Sequence, residues 1–587
     1  MVKNYNLILD EDLNENFLEK KIFIHNFFLE IHKNKKKYHQ VCSHPWNDNE
    51  NFNKDSKYLQ DLKPKLTKSL SIFLNKYHKK SFSYKFWEII LGYWVHSFSM
   101  MMLERWRILE NLPYKGINYT IRVKKIEEEE LIPQTLDEHN NIFYLSEYSS
   151  FFFQKIIDFK YKENFSVKKI TCEKKIDTVR NKFNYKKPNL KGYILKIFFF
   201  FFRKKILNQK YSILRSYLGL FDEIKLNIAL RQFPTFIKNN YFLCKPDVNL
   251  RSKIKIDLQF ENSFEKFLID NLFYFIPISF LEGFEIEKKI LDQIPLPKKP
   301  LTVFSSNIIS KSLLSRYCAE KVENGSKLIL ASHGGCYGTF KNHFMEDQEV
   351  LISDKYLSWG WENQKNKKIQ RIGIIRPISS KIKINNGKYL TMIVPSNSCF
   401  ENCMESWDDF SNIKASIQGG QVFDSQFRII NNLSAEIKNN LLIRFYPRNF
   451  GRNENKIFKI YNPKIMIDKM DLSYEEILSK TKIFLSPYLG TGYLETLAKN
   501  IPTIIFTSKK TDVIRDEAKQ YYNLLKDVNI YFDDEKKLSD HLNQNWNYYE
   551  NWWNSEKLQK NRVEFCNNYA FINKNKVKDI KNILLNN

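Results

Sequence analysis

The chain lacks any long apolar run. Its 587 residues contain no uninterrupted apolar stretch close to the roughly 20 residues that a membrane-spanning helix needs. The N-terminus is followed by the acidic residues Asp10, Glu11 and Asp12, and it lacks the apolar core of a signal peptide. The sequence therefore predicts no transmembrane segment and a cytoplasmic location.

Cysteine is scarce as well. The 8 cysteines are scattered, without the spacing of a disulfide framework. Cys399 and Cys403 lie four positions apart, but no second pair is present to complete a zinc site. We therefore expect reduced thiols, no structural metal and no cofactor.

Acidic residues are outnumbered by basic ones, and the formal net charge is +27. The basic residues are mostly Lys, mixed with Asn, Ile and Glu along the whole chain. No zinc-finger, basic-zipper or RNA-recognition signature is present, so we predict no nucleic-acid partner. A positive field also suits an anionic membrane surface or a phosphorylated sugar donor.

The chain contains enough apolar residues to form large hydrophobic cores. Hydrophobic residues make up 43% and aromatic residues 15% of the sequence, which favours a folded protein over a disordered one. The length favours two or three domains.

The most informative segment places one histidine in a glycine-rich turn. A strand is predicted at Lys327 to Ala331, so His333 follows the strand's carboxyl end, and Gly334 and Gly335 permit close backbone approach. Together with a strand and a helix between Leu301 and Val322, this forms one βαβ unit, in which such a turn faces a ligand crevice. The alternative is that His333 only caps the turn.

A second glycine turn lies between Ser486 and Phe506. A strand leads through Gly490, Thr491 and Gly492 into a helix, whose free amides can bind a phosphate while Glu495 accepts hydrogen bonds from ribose hydroxyls. The alternative is a tight turn in which Glu495 only faces the helix dipole. No Walker or dinucleotide signature is present.

The region around this turn alternates strands and helices, which predicts a second doubly wound domain. Arg444 and Arg448 end one of its strands, and their guanidinium groups could clamp a diphosphate or a carboxylate. The predicted strands are Tyr389 to Pro395, Leu441 to Tyr446, Lys482 to Ser486 and Pro502 to Phe506, with a helical region at Trp407 to Ile417.

The first part of the chain, up to about residue 190, has a mostly helical pattern, clearest from Phe86 to Leu109. It is followed at Lys191 to Lys205 by the strongest local anomaly in composition. There the six apolar residues Ile197 to Phe202 are flanked by basic side chains. This segment fits either a membrane interface or a buried element that ends in solvated lysines.

Two doubly wound domains, each offering a glycine turn to a shared cleft, resemble a GT-B glycosyltransferase. The turn at Ser332 to Thr339, the segments Glu346 to Trp361 and Leu489 to Phe506, and the helix Trp94 to Arg107 together resemble the leptospiral-type transferase family of surface-polysaccharide gene clusters. They are more distantly similar to CDP-glycerol glycerophosphotransferases and capsule Kdo transferases.

This resemblance implies an α/β, GT-B-like fold with a helical N-terminal elaboration. Residues 1–375 would form that elaboration and the acceptor-side domain, and residues 376–587 the donor-nucleotide domain. His333, Glu349 and Asp354 match the family and are the catalytic candidates. The chain departs from the family at Cys336 and at Gln348, which leaves any role of position 348 in doubt.

The implied activity is transfer of a sugar, with a nonulosonate as one candidate, from a nucleotide-activated donor to a surface glycan or its lipid-linked precursor. Peripheral contact with an anionic membrane at its inner face stays open. Two alternatives also stay open: a polyol-phosphate transferase that uses a CDP-activated donor, and a non-catalytic protein that binds nucleotide sugars in a glycan assembly.

Overall fold

The computed structural model describes residues 3–9, 21–23, 39–42, 44–171, 176, 180, 200–237, 242–254, 258–363, 365–378, 387–395, 423–447, 454–508 and 513–586. Its strands are β1 (Lys3–Ile8), β2 (Lys21–Phe23), β3 (His39–Val41), β4 (Ile117–Lys124), β5 (Phe165–Ile170), β6 (Tyr211–Ile213), β7 (Thr302–Ser305), β8 (Lys327–Ala331), β9 (Lys355–Ser358), β10 (Ile369–Arg371), β11 (Tyr389–Val394), β12 (Leu441–Phe445), β13 (Met466–Ile467), β14 (Thr481–Ser486), β15 (Thr503–Phe506) and β16 (Tyr531–Phe532).

The α-helices of the described residues are α1 (Asn49–His78), α2 (Tyr84–Glu110), α3 (Leu136–Ile142), α4 (Ser146–Ile156), α5 (Leu220–Ala229), α6 (Val248–Lys253), α7 (Ser263–Tyr274), α8 (Phe284–Gln293), α9 (Ser312–Glu323), α10 (Phe344–Ile352), α11 (Asp424–Asn432), α12 (Ala435–Asn439), α13 (Glu454–Tyr461), α14 (Tyr474–Ser479), α15 (Thr491–Ala498), α16 (Asp516–Lys526), α17 (Glu535–Asn545), α18 (Tyr549–Trp553), α19 (Glu556–Tyr569) and α20 (Lys576–Leu585).

The strands form three parallel sheets. The first sheet has the order β3-β2-β1-β4-β5, the second β10-β9-β8-β7-β6, and the third β13-β12-β11-β14-β15-β16. Parallel strands connected by helices confirm the predicted α/β class.

The first sheet corrects one expectation. The N-terminal region was predicted to be helical, but a five-stranded parallel sheet precedes the second and third sheets. Its strands β2 and β3 are only three residues long, too short for a two-residue periodicity to stand out from a Lys-rich and Asn-rich background.

The helix predicted at Phe86 to Leu109 is confirmed as α2. Ser83 caps it by accepting a hydrogen bond from the backbone N–H of Phe86 at 3.2 Å. The helix is apolar on almost every side and is buried over most of its length, as expected for a helix at the centre of a large core. It packs against α1, α7, α9 and α10.

The second sheet has helices on both faces. On one face Ile329 packs in a cluster with Leu226 of α5 and Ile580 of α20. On the other face Leu328 and Leu330 join the main core, which also contains α2 and α9. Because successive side chains of a strand point to opposite faces, β8 is buried on both sides, which explains its continuous apolar run.

The third sheet has the strand order of a dinucleotide-binding fold, and its order reverses between β11 and β14. In such sheets the ligand crevice lies outside the carboxyl ends of the strands at the point of reversal. β14 ends at Ser486, so the glycine turn at Gly490 to Gly492 begins at this crevice.

The second and third sheets are joined by main-chain and charged contacts. Phe340 and Ile514 form an antiparallel bridge. Next to it, Arg515 donates to both carboxylate oxygens of Glu346, each at 3.0 Å, and to the backbone oxygen of Phe340 at 2.9 Å. These contacts fix the two glycine turns relative to each other.

Two predicted features lie partly or wholly outside the described residues. The helical region at Trp407 to Ile417 lies wholly outside them. Of the apolar segment Ile197 to Phe202, only Phe200 onward is described, and Phe200 and Phe201 are 78% and 73% exposed. Within the described residues, no helix combines the length and the apolar character that crossing a membrane would require.

Candidate functional site

His333 lies just beyond the carboxyl end of β8, as predicted. The backbone oxygen of the preceding residue, Ser332, accepts a hydrogen bond from Trp359 Nε1 at 2.8 Å, which fixes the start of the turn. The Tyr337 hydroxyl lies 3.3 Å from His333 Nδ1 and 3.4 Å from Nε2. The ring centroid of Tyr217 is 5.4 Å from that of His333. Two tyrosines therefore frame the imidazole and leave 17% of its side chain exposed.

The environment keeps His333 uncharged at neutral pH. Burial lowers the pKa of its imidazole to about 4, and the positive charge of Arg376 lowers it further, while a hydrogen bond with the Ser306 backbone acts in the opposite direction. A neutral imidazole near pH 7 has a free lone pair, so it can accept a proton or a hydrogen bond from a substrate.

Glu349, on α10, is brought to His333. Its Oε1 lies 3.7 Å from His333 Nδ1, and its Oε2 accepts a hydrogen bond from the Tyr356 hydroxyl at 3.2 Å. The first distance is longer than a hydrogen bond but short enough for the carboxylate to stabilise a transient positive charge on the imidazole. A base with a carboxylate behind it is the arrangement of many acid–base sites.

Asp354 is not brought to this site. It precedes β9, where its Oδ2 accepts from the backbone N–H of Leu328 at 2.8 Å and its Oδ1 from Lys85 at 3.1 Å. Leu328 lies near the amino end of β8, and His333 follows the carboxyl end, so the strand separates the two side chains. Asp354 links β8 to α2 through these two contacts and lies at the other end of the sheet from His333.

The second glycine turn forms the start of α15. Gly490 is the N-cap residue of this helix, so the first backbone N–H groups of α15 begin at the crevice of the third sheet. Gly492 is closely surrounded: a Cβ there would lie 3.1 Å from Ile393 and Phe484 and 3.2 Å from the Tyr474 hydroxyl. The glycine lets the helix start pack against the carboxyl ends of the strands.

The two turns touch. The backbone N–H of Gly335 donates to Thr491 Oγ1 at 3.2 Å. A Cβ on Gly335 would lie 2.0 Å from the backbone oxygen of Gly490, which leaves no room for any side chain. A Cβ on the neighbouring Gly334 would meet the side chains of Tyr337 at 3.3 Å and Thr491 at 3.9 Å, and no backbone atom. The predicted glycine requirement is therefore strict at Gly335.

Glu495 lies in the second turn of α15 and forms an ion pair with Arg376, Nη1 to Oε1 3.1 Å. Burial raises the pKa of the Glu495 carboxyl, and the charges of Arg376 and Lys499 act against this rise. The same Arg376 influences His333. One guanidinium group therefore acts on a key side chain of each turn.

The sequence reasoning missed Arg376. The residue lies outside any strand or helix and outside both glycine turns. The only available signal was its place at the predicted domain boundary, directly before Pro377. Such a position brings a side chain to the cleft between two domains, but nothing in the local pattern marks this arginine among the many basic residues of the chain.

Arg444 lies near the end of β12 but is already engaged. Its Nη1 makes a close ion pair with Asp468, and its guanidinium carbon lies 6.0 Å from the centre of the Tyr474 ring. The prediction that it clamps an anion therefore requires competition with Asp468. Arg448 lies outside the described residues. Across the described part of the chain, no group of three or more His, Cys, Asp and Glu side chains could hold a metal ion.

The fold and the site define a class: an α/β protein in which two parallel sheets, each covered by helices, meet through two glycine turns. The particular family follows from the sequence as a whole. Residues 7–584 match the model described as LIC12162 family transferase, and the chain belongs to that family. It is therefore a transferase by family. No curated protein matches it.

Several solved structures show a weak likeness. A UDP-GlcNAc 2-epimerase from Methanocaldococcus jannaschii, in complex with UDP-GlcNAc and UDP, is 16% identical, with 64% of this chain and 99% of that chain covered and a TM-score of 0.36. MurG from Acinetobacter baumannii is 9% identical, with 64% and 99% covered and a TM-score of 0.31. WaaG, a glycosyltransferase involved in lipopolysaccharide biosynthesis, is 12% identical, with 64% and 100% covered and a TM-score of 0.29.

Proposed function

We propose that this transferase moves a sugar from a nucleotide-activated donor to a surface glycan or its lipid-linked precursor. One observation carries the proposal: the contact between Gly335 and Thr491 brings a neutral histidine and a helix N-terminus to one cleft. The helix N-terminus suits the phosphates of a donor, and the histidine suits an acceptor that must lose a proton.

In the proposed reaction, the acceptor hydroxyl lies against His333. His333 takes the hydroxyl proton as the oxygen attacks the anomeric carbon of the donor. The bond between that carbon and the phosphate oxygen breaks, and its electron pair leaves with the nucleotide. Glu349 stabilises the imidazolium that forms, because its carboxylate stands 3.7 Å behind the ring. His333 could instead donate a hydrogen bond to the reacting phosphate or to a carboxylate of the sugar.

The donor side of the proposal rests on α15 and Arg376. The amides after Gly490 would bind phosphate, and Glu495 would accept hydrogen bonds from the ribose hydroxyls. Arg376, now paired with Glu495, would turn to the diphosphate when the ribose occupies Glu495. A guanidinium group gives a planar fork that suits phosphate oxygens. A nonulosonate is one candidate for the sugar.

The proposed division of the chain follows the same reasoning. Residues 1–375 would form the acceptor side and residues 376–587 the donor side. Residues 576–585 are an exception, because α20 packs against α5 on the second sheet. We place the protein in the cytoplasm, with peripheral contact at the inner face of the membrane, where a lipid-linked acceptor would be reached.

Thermal-shift measurements with CMP, CDP, UDP, GDP and their sugars test the proposal. A ligand at 100 times its dissociation constant stabilises the folded state by about 2.7 kcal/mol, so the right nucleotide should raise the melting temperature measurably. A response to CDP-polyols together with transfer of a polyol phosphate would replace sugar transfer with that reaction. If no nucleotide or nucleotide sugar shifts the melting curve, α15 and Arg376 do not form a donor site.

A further inference from the structure

Helix α5 exposes an apolar face to solvent. Leu220, Phe221, Ile224 and Ile228 are 66%, 79%, 39% and 69% exposed. At 3.6 residues per turn these four positions fall within about a third of the helix circumference. The opposite side of the helix buries Leu226 against the second sheet. The helix thus has two apolar faces, and only one of them is used by the fold.

The exposed charges of the stretch that contains this face are of one sign. Throughout residues 200–237, all of which are described, every exposed charged side chain is basic. The two acidic residues of the stretch, Asp222 and Glu223, are partly buried; Asp222 pairs with Lys576 at 2.9 Å, and Glu223 accepts from Ser216. The exposed basic residues are Arg203, Lys204, Lys205, Lys210, Arg215, Lys225 and Arg231.

A second exposed apolar pair lies close by. Residues 200–207 are helical, and Phe200 and Phe201 point largely into solvent. The next residue, Phe202, stacks on Phe233 with ring centroids 4.6 Å apart. Phe233 follows the end of α5 by only four residues. Phe200 and Phe201 therefore lie near the carboxyl-terminal end of α5.

The amino-terminal end of α5 adjoins the catalytic candidate. Tyr217, whose ring lies 5.4 Å from that of His333, is three residues before the first exposed apolar residue. The N-cap residue Gly219 packs so closely on Pro377 that a Cβ would lie 2.4 Å from the proline ring. The apolar face therefore begins beside Arg376 and His333.

We propose that the exposed face of α5 docks on an anionic lipid bilayer. Its four apolar side chains would enter the acyl-chain boundary, and the basic residues would lie among the headgroups. A second copy of this chain is a poorer occupant, because it carries the same +27 net charge. This proposal rests on the proposed function: a lipid-linked acceptor anchored in that bilayer would lie beside His333.

The test is flotation of the purified full chain with vesicles. One set contains phosphatidylcholine with about 30% phosphatidylglycerol, the other phosphatidylcholine alone, because the surface potential comes from the anionic lipid. The wild type should float with the anionic vesicles and lose most binding as salt rises from about 0.1 M to about 1 M, since screening shortens the reach of the charges.

The variant Phe221→Ser with Ile228→Ser should reduce the floated fraction at least about tenfold, because it removes two of the apolar side chains that enter the bilayer in the wild type. The matched control is Ile72→Ser with Val563→Ser, which removes two exposed apolar side chains from α1 and α19. It should float like the wild type. Circular-dichroism melting checks that both variants are folded.

Three results would overturn the inference: no flotation of the wild type, equal flotation of the α5 variant, or a dimer by light scattering that the α5 variant dissociates without any vesicle binding. The proposed function fails separately, in thermal-shift experiments with nucleotides and no lipid. The α5 variant should keep the wild-type nucleotide response, so loss of membrane binding and loss of donor binding can be told apart.

Discussion

The backbone N–H of Gly335 and the hydroxyl of Thr491 are joined by a hydrogen bond of 3.2 Å, although 156 positions separate them in the chain. This bond joins the turn that carries His333 to the first residue of the helix that carries Glu495. Every step of the proposed reaction depends on that distance, because donor and acceptor must meet within bonding range.

Gly335→Ala should damage both stability and transfer. The new Cβ would lie 2.0 Å from the backbone oxygen of Gly490, so the turns must separate, at a cost of about 1–3 kcal/mol for overpacking. The matched control is Gly334→Ala, whose Cβ meets side-chain atoms only, the nearest in the Tyr337 ring at 3.3 Å. Thermal melts and initial transfer rates should rank wild type and Gly334→Ala together, well above Gly335→Ala. Equal behaviour of the two alanine variants would contradict the close contact.

His333→Ala should separate binding from chemistry. Loss of a general base lowers the rate by about 10² or more, whereas the nucleotide is assigned to the other turn. We expect a nucleotide dissociation constant within a few-fold of the wild type in calorimetry, together with the large loss of transfer. Retained turnover would remove His333 from the chemistry, and weakened nucleotide binding would place it on the donor side.

Much of the fold could be read from the sequence because the strands around the site are buried on both faces. β8 was predicted at its exact bounds, and β12 and β15 to within one residue. Such strands show as continuous apolar runs followed by glycine turns. In the first sheet, β2 and β3 are three residues long and give no comparable signal, whereas β4 alternates apolar and polar residues over eight positions and was the readable sign of a strand in this region.

The site was predictable where a residue follows a strand or starts a helix. His333 and Gly490 are of that kind. Asp354 was a candidate only because it matches the family; it precedes β9, whereas His333 follows the parallel strand β8, so the two residues lie at opposite ends of the sheet. Arg376 was missed because its role comes from two distant residues, Glu495 and His333, that only the tertiary structure brings near it.

Arg376→Gln should move the acid limb of the pH profile of kcat/KM for sugar transfer. The pKa of His333 in the free protein is lowered to about 4 by burial and by the Arg376 charge, and kcat/KM reports pKa values of the free enzyme. The wild-type profile should therefore stay flat well below pH 6.5. Removing the cation raises the pKa of His333, so the limb should shift to higher pH. An unchanged limb would mean that His333 is not the titrating base.

Glu495→Gln should weaken nucleotide binding. The substitution keeps the size of the side chain but removes its charge and replaces one of its two acceptor oxygens by an amide donor, and the loss of one hydrogen bond from a ribose hydroxyl to the carboxylate costs about 1–3 kcal/mol. The control is Glu517→Gln on α16, an exposed carboxylate that should not touch the ligand. Calorimetry with the nucleotide found by thermal shift provides the measurement. Equal affinities for both variants would leave Glu495 as a partner of Arg376 only.

Arg515→Met should destabilise the protein more than any surface ion-pair variant. Arg515 binds both oxygens of Glu346, a side chain only 4% exposed, across the junction of the second and third sheets. Its removal leaves a buried carboxylate without that partner, which typically costs about 3–5 kcal/mol. The matched control is Arg428→Met: its side chain is 48% exposed in the pair with Glu535, and this pair should be worth about 1 kcal/mol or less.

The double variant Arg515→Met with Glu346→Gln decides whether the pair acts as a unit. Because the glutamine carries no charge, much of the loss should be recovered, and the coupling energy from a double-mutant cycle should exceed that of Arg428 and Glu535. Denaturant unfolding followed by tryptophan fluorescence supplies the four free energies of unfolding for each cycle. Additive effects at Arg515 and Glu346 would show that the ion pair does not act as a unit and that the main-chain contacts at this junction, among them the bridge between Phe340 and Ile514, hold the two sheets together.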